Sequence, residues 1–141
     1  AHVHELSTRG PDAVKIGGLT VRSRPANHGA GALHLRFEAD GVAVVYSGDT
    51  GPSDNLKELA RGADLLVCEC AGSDEQPIDG HLTPTDVMRV SQAARPKEVW
   101  LTHLYPQVDP EVAVARVAQA GPYCRHASDL DLWDSRNVRR F

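Results

Sequence analysis

Three apolar runs in this chain each end in a residue that can bind a cation or move a proton. They are Val44-Val45-Tyr46-Ser47-Gly48-Asp49, Leu65-Leu66-Val67-Cys68-Glu69 and Val99-Trp100-Leu101-Thr102-His103. Short runs of this kind, without polar alternation, read as strands covered on both faces. Helical spacing fills the intervals. Leu56, Leu59 and Ala60 follow a Ser53-Asp54 cap, and Val87, Val90 and Ala94 follow Thr83-Pro84, with Asp86 near the positive end of the helix dipole. Val114, Val117 and Ala118 form the expected inner face of a helix opened by Pro110 and closed by Gly121. Alternating strands and helices predict an α/β layered fold. In such a sheet the crevice lies beyond the carboxyl ends of the strands, so Asp49, Glu69 and His103 are expected to converge there.

The first 47 residues have a different grammar. Leu19, Val21 and Ser23 alternate with Thr20, Arg22 and Arg24, and Leu33, Leu35 and Phe37 alternate with His34, Arg36 and Glu38. This period of two predicts half-buried strands, with His34 on the polar, solvent-facing side. Asp40-Gly41 is a hairpin turn into Val42–Tyr46. Tyr123–Ala127 and Leu130–Trp133 read as short final strands. No repeat or linker interrupts the chain, so residues 1–141 are read as belonging to a single domain.

Composition narrows the function classes. Hydrophobic residues at 41% and charged residues at 24% exclude a disordered tail, a collagen and a coiled coil. No apolar run approaches the ~20 residues that span a bilayer, and Ala1-His2-Val3-His4-Glu5 has no signal-peptide pattern. The cysteines, Cys68, Cys70 and Cys124, are odd in number and read as reduced, buried thiols, which gives a cytoplasmic expectation. Charge is uneven. Residues 38–79 hold two Lys/Arg against ten Asp/Glu, net −8, in a chain of net −4. An acidic middle attracts cations and repels a long polyanion such as tRNA.

His28, in Asn27-His28-Gly29, and His81, just before the Thr83 cap, add imidazoles to the three strand-end residues. Imidazole and carboxylate donors together suit Zn or Mn. In order along the chain come Asn27-His28-Gly29, Ser47-Gly48-Asp49-Thr50, Cys68-Glu69-Cys70-Ala71, Gly80-His81-Leu82-Thr83 and Leu101-Thr102-His103-Leu104. Taken together, over roughly residues 14–106, they resemble the C-terminal half of the metallo-β-lactamase superfamily, nearest to its ribonuclease Z-like branch.

The resemblance implies an αββα sandwich, of which this chain supplies mainly the C-terminal half. It implies two divalent metal ions, with His28 completing the first site, Asp49 bridging both and His103 holding the second. It also implies that Glu69 and His81 form a hydrogen-bonded pair in which the histidine donates a proton or contacts phosphate. The family signature His-x-His-x-Asp-His does not occur in the sequence. Ala1-His2-Val3-His4 offers only His-x-His, with His4 just 24 residues before His28, so His2 and His4 read as ordinary strand residues. The half of the domain that carries the signature is therefore expected to be missing, and the metal site to be incomplete in this chain.

The implied reaction is hydrolysis of a small phosphodiester or ester, with cyclic nucleotides as one candidate. The 21 residues from His28 to Asp49 hold one hairpin and leave no room for the long arm of tRNA-processing members. A ribonuclease Z-like nuclease is one alternative. A non-catalytic remnant acting as a binding or assembly module is another, and it predicts an exposed apolar face with homo-oligomers or packing against the missing half. A phospho-acceptor signalling domain needs further early acidic residues and a late lysine that the strands do not supply. His126 reads as structural or exposed, Trp100 and Trp133 as core, and Asp54, Glu58, Asp74, Glu75 and Asp79 as solvated acids.

Overall fold

The computed structural model describes residues 3–137. Four strands come first: β1 (Asp12–Ile16), β2 (Leu19–Pro25), β3 (Leu33–Ala39) and β4 (Val42–Tyr46). There follow α1 (Asp54–Leu59), β5 (Leu65–Glu69), α2 (Pro84–Ala94), β6 (Glu98–Thr102), α3 (Pro110–Ala118) and β7 (Tyr123–His126). The strands form one seven-stranded sheet in sequential order, antiparallel from β1 to β4 and parallel from β4 to β7. The change of direction falls where the sequence changes from alternating to continuous apolar runs. A parallel pair needs a crossover, and each helix supplies one.

The local chemistry behind these elements is specific. Asp40 and Gly41 both have positive φ, 50° and 77°, the type I′ geometry that matches strand twist. Ser53 caps α1 by accepting from the Leu56 N–H, and Asp109 caps α3 from the Glu111 and Val112 N–H groups. Thr83 and Asp86 form a reciprocal capping box at α2, with Pro84 in the first turn.

Helices α1 to α3 cover one face of the sheet. There Val45, Leu66 and Val99 are fully buried against Leu56, Ala60, Val87, Val90, Ala94, Ala113 and Val117. Each such aliphatic contributes about 1.5–3 kcal/mol through burial. On the opposite face Leu35, Phe37, Val44 and Val67 are only half-buried and Tyr46 is 44% exposed. The sheet is thus half-open, with an apolar row facing outward. No helix among the described residues is long and apolar enough to cross a membrane.

Several expectations need correction. Leu130–Trp133 is not a strand. Asp131 pairs with Arg125 and accepts from the Ser128 N–H, which closes a turn instead, while Leu130 and Leu132 face solvent. On α3 the buried positions are Ala113 and Val117, one turn apart, with Val114 on the flank and Ala118 exposed. His4 precedes β1 rather than lying in a strand, with its Nε2 3.7 Å from the Asp12 carboxylate. His2 lies outside the described residues. Trp100 is core as expected, and the Arg125 guanidinium stacks 4.3 Å from its ring.

Candidate functional site

The parallel strands bring the predicted residues to one edge. Asp49 follows β4, Glu69 ends β5, His103 follows β6, and the loops carrying His28 and His81 close over them. Hydrogen bonds interlock these loops. Gly51 N–H donates to the Asn27 carbonyl at 2.8 Å, and Asn27 N–H donates to Thr50 Oγ1 at 3.1 Å. His28 Nδ1–H donates to the Gly80 carbonyl at 2.9 Å. A carbonyl only accepts, so the proton sits on Nδ1 and Nε2 keeps its lone pair. Gly80 has φ +76°, a conformation that favours glycine, and a Cβ there would stand 3.1 Å from His28 Nδ1 and press on its ring.

Glu69 is the best-anchored group. It is 1% exposed. Oε1 accepts from Thr50 N–H at 2.9 Å and from His81 Nδ1–H at 2.7 Å. Oε2 accepts from Ala71 N–H at 3.0 Å and Leu82 N–H at 3.2 Å. Four donors satisfy the carboxylate in a buried setting where any unpaired polar group is costly. The consequence for His81 is a fixed ring and tautomer, with Nε2 left to serve chemistry.

His81 also lies centrally among rings. Its centroid is 4.9 Å from that of His28, 5.5 Å from His103 and 5.9 Å from Tyr105. His103 Nε2 stands 3.8 Å from Asp49 Oδ1, and both side chains remain more than a third exposed. The donors fit a divalent ion in kind and in part in spacing. Two atoms each ~2.1 Å from one ion can stand up to ~4.2 Å apart, so the Asp49–His103 separation is compatible with a shared cation. The His28 arrangement, Nδ1–H on a carbonyl and Nε2 bare, is that of a metal-binding histidine held by an outer partner. Among the described residues no group of three or more His, Cys, Asp or Glu gathers closely enough to hold an ion by itself.

Two participants escaped sequence reading. Tyr105 is one; its only signal was an aromatic two residues after His103. His34 is the other, fully buried instead of solvent-facing. Alternation assigned it correctly to the face opposite Leu35, but that is the face the helices cover. Its Nδ1–H donates to the Ser47 carbonyl at 2.6 Å, and its Nε2 accepts from the Ser53 hydroxyl at 2.9 Å. Ser47 Oγ in turn accepts from Glu69 N–H at 2.9 Å. His34 thus ties the start of the Asp49 loop to the α1 cap, and Ser47 carries that tie to Glu69.

Burial holds the His34 pKa below its usual 6.5, with the Ser47 bond opposing. The unfolded chain therefore takes up this proton first, and stability is lost as pH falls through about 6.5. The carboxylates Glu38, Asp64 and Asp74 have lowered values and lose their contributions only at more acid pH. Thermal melts between about pH 7.5 and 5.5 should show a falling Tm in the native sequence. The slope should be shallower in His34→Asn, which keeps a donor toward Ser47 but cannot titrate. Equal slopes would remove His34 as the cause.

Cys68, Cys70 and Cys124 are buried and free. Cys70 lies past the end of β5, where its N–H donates to the Thr102 carbonyl. Burial pushes the Cys70 and Cys124 thiols up to about 12, which keeps them protonated and poor ligands.

The sheet, with helices on one face and with histidines and carboxylates along the carboxyl edge of its parallel strands, defines an α/β fold of the layered class. The chain belongs to the metallo-β-lactamase superfamily: the family described as the β-lactamase superfamily domain matches residues 1–104. The uncharacterized protein Rv1339 of Mycobacterium tuberculosis is 36% identical over 143 residues, covering 98% of this chain and 50% of that protein. Ribonuclease Z of Brevibacillus brevis is 41% identical over 101 residues, covering 64% of this chain and 32% of the enzyme. The metallo-β-lactamase fold protein YhfI of Bacillus subtilis superposes with a TM-score of 0.80 at 22% identity, over 86% of this chain and 51% of YhfI, a likeness of fold. The chain spans about half the length of the curated relatives it matches.

Proposed function

We propose that these residues form one half of the active site of a metal-dependent phosphodiesterase that acts on a small phosphodiester. The observation that carries this reading is the Glu69–His81 pair, a histidine fixed at 2.7 Å by a carboxylate with three backbone donors. Such an arrangement serves proton delivery to a departing oxygen rather than simple packing. On this reading His28, Asp49 and His103 are the ligands this chain supplies to two divalent ions, Zn or Mn. When bound, the ions would neutralise phosphate charge and make bound water acidic enough to attack at neutral pH. With Nδ1–H held by Glu69, His81 takes up a second proton at Nε2 and, as the imidazolium, hands that proton to the leaving oxygen. Glu69 keeps the ring in place throughout. The half-open sheet face with Tyr46 is the surface that packs against the half of the domain bearing His-x-His-x-Asp-His.

Ribonuclease Z-like processing of RNA is the second reading, favoured by the Brevibacillus relative. The net −8 of residues 38–79 and the single hairpin between His28 and Asp49 weigh toward the smaller substrate. Hydrolysis of bis(p-nitrophenyl) phosphate and a cyclic nucleotide by the full-length protein, set beside a precursor tRNA, separates the two. In that protein His81→Ala should leave metal content near native and lower kcat by about 10²–10⁴, the worth of a positioned general acid. Loss of metal from this variant would make His81 a ligand and overturn its assignment as proton donor.

A further inference from the structure

The ring array at the site has a fourth member that the motifs do not assign. Tyr105 lies 5.2 Å from His103, edge to face, and 5.9 Å from His81, centroid to centroid. Tyr105 is 38% exposed in a chain where aromatics make 5% of residues. A core tyrosine would be buried, and a surface tyrosine would not rest on two imidazoles.

The backbone is bent to place it there. His103 has φ +57°, a left-handed conformation that costs a non-glycine residue about 1 kcal/mol or more. After that reversal, directly past β6, Leu104 packs half-buried against the core and Tyr105 lies beside His103. The Tyr105 carbonyl then accepts from Val108 N–H at 2.9 Å, which fixes the turn. Strain held at a site edge by surrounding contacts points to a use for the residue it positions.

We propose that Tyr105 is a specificity-determining residue whose ring stacks on a planar aromatic group of the substrate, an aryl or nucleobase portion of the phosphodiester. This rests on the phosphodiesterase reading above and adds the substrate's chemical class. On that reading the leaving oxygen comes to Nε2 of His81, and the Tyr105 ring lies 5.9 Å from the His81 ring, centroid to centroid. An aromatic face there offers stacking to any planar ring without selecting its hydrogen-bonding edge, so the preference is for rings as a class. No lysine or arginine takes part in the hydrogen bonds and ring contacts that join His28, Glu69, His81, His103 and Tyr105.

The test is calorimetric titration of the metal-loaded full-length protein with two ligands that share a phosphate, adenosine 5′-monophosphate and ribose 5-phosphate. The native protein should hold the nucleotide at least about tenfold more tightly, the size of one base–aromatic stack. Tyr105→Phe should keep that preference and Tyr105→Leu should abolish it, with ribose 5-phosphate affinity unchanged. A preference that survives in Tyr105→Leu, or an equal loss of both ligands, would overturn the proposal and leave Tyr105 as a prop for His103. Hydrolysis of bis(p-nitrophenyl) phosphate by the same preparation reports separately on the underlying reading. Activity without ring preference sinks only the role of Tyr105, whereas absence of all phosphodiester hydrolysis sinks both.

Discussion

Asp49→Ala in the full-length protein is expected to abolish phosphodiester hydrolysis and to strip the metal centre. Asp49 Oδ1 stands 3.8 Å from His103 Nε2, and on the proposed reading the Asp49 carboxylate would be a ligand shared by the ions. Replacing groups one step further out from a metal already costs about 10–100-fold in affinity or activity. Loss of a shared ligand should exceed that, to more than about 100-fold in kcat, with metal content falling in parallel. Fold stability should change little, because Asp49 is partly exposed and caps no buried donor. Metal analysis beside kinetics and a melting curve decides the matter. A variant that keeps both ions, or that simply unfolds, would show that Asp49 is a turn residue and nothing more.

Glu69→Leu should have the largest effect on stability. The three N–H groups of Thr50, Ala71 and Leu82 would be left without an acceptor in the interior. Each orphaned buried donor costs about 1–3 kcal/mol, so the total is about 3 kcal/mol or more. That is a large share of a margin of about 5–15 kcal/mol. Glu69→Gln should be damaging too. Each carboxylate oxygen takes two donors, so an NH₂ in either place faces two N–H groups. Urea denaturation reads both effects. The midpoint should drop for both variants with little change in slope, and His81 should lose its fixed ring. A near-neutral Glu69→Leu would contradict the buried cradle.

Much of this architecture was legible beforehand. The caps at Ser53 and Thr83, the Pro110 helix start and the Asp40-Gly41 hairpin are local devices, in which a side chain or turn acts within a few residues. The continuous runs Leu65–Cys68 and Val99–Leu101 announced central parallel strands. The gathering of Asp49, Glu69 and His103 at one edge followed from strand direction alone. What failed was of another kind. His34 was placed in solvent, Ala118 was turned inward, and Leu130–Trp133 was read as a strand.

The first of these failures has a clear physical cause. Alternation along a strand fixes which residues share a face, because successive side chains point oppositely. It does not say which face will be covered. The covering of His34 depends on α1, whose cap Ser53 lies nineteen residues away, and on the Ser47 carbonyl at the end of the next strand. By itself the sequence determined the strands from β2 to β7, the three helices, and the donor types at the carboxyl ends of β4, β5 and β6. Only the tertiary structure decided the inner details of the site. It anchored Glu69 with four donors, bared the Nε2 of His28 and His81 by engaging the opposite nitrogen, and brought Tyr105 beside them through the left-handed turn at His103. Hydrogen bonds and ring contacts between distant segments set each of these, and such contacts leave no periodic trace along the chain.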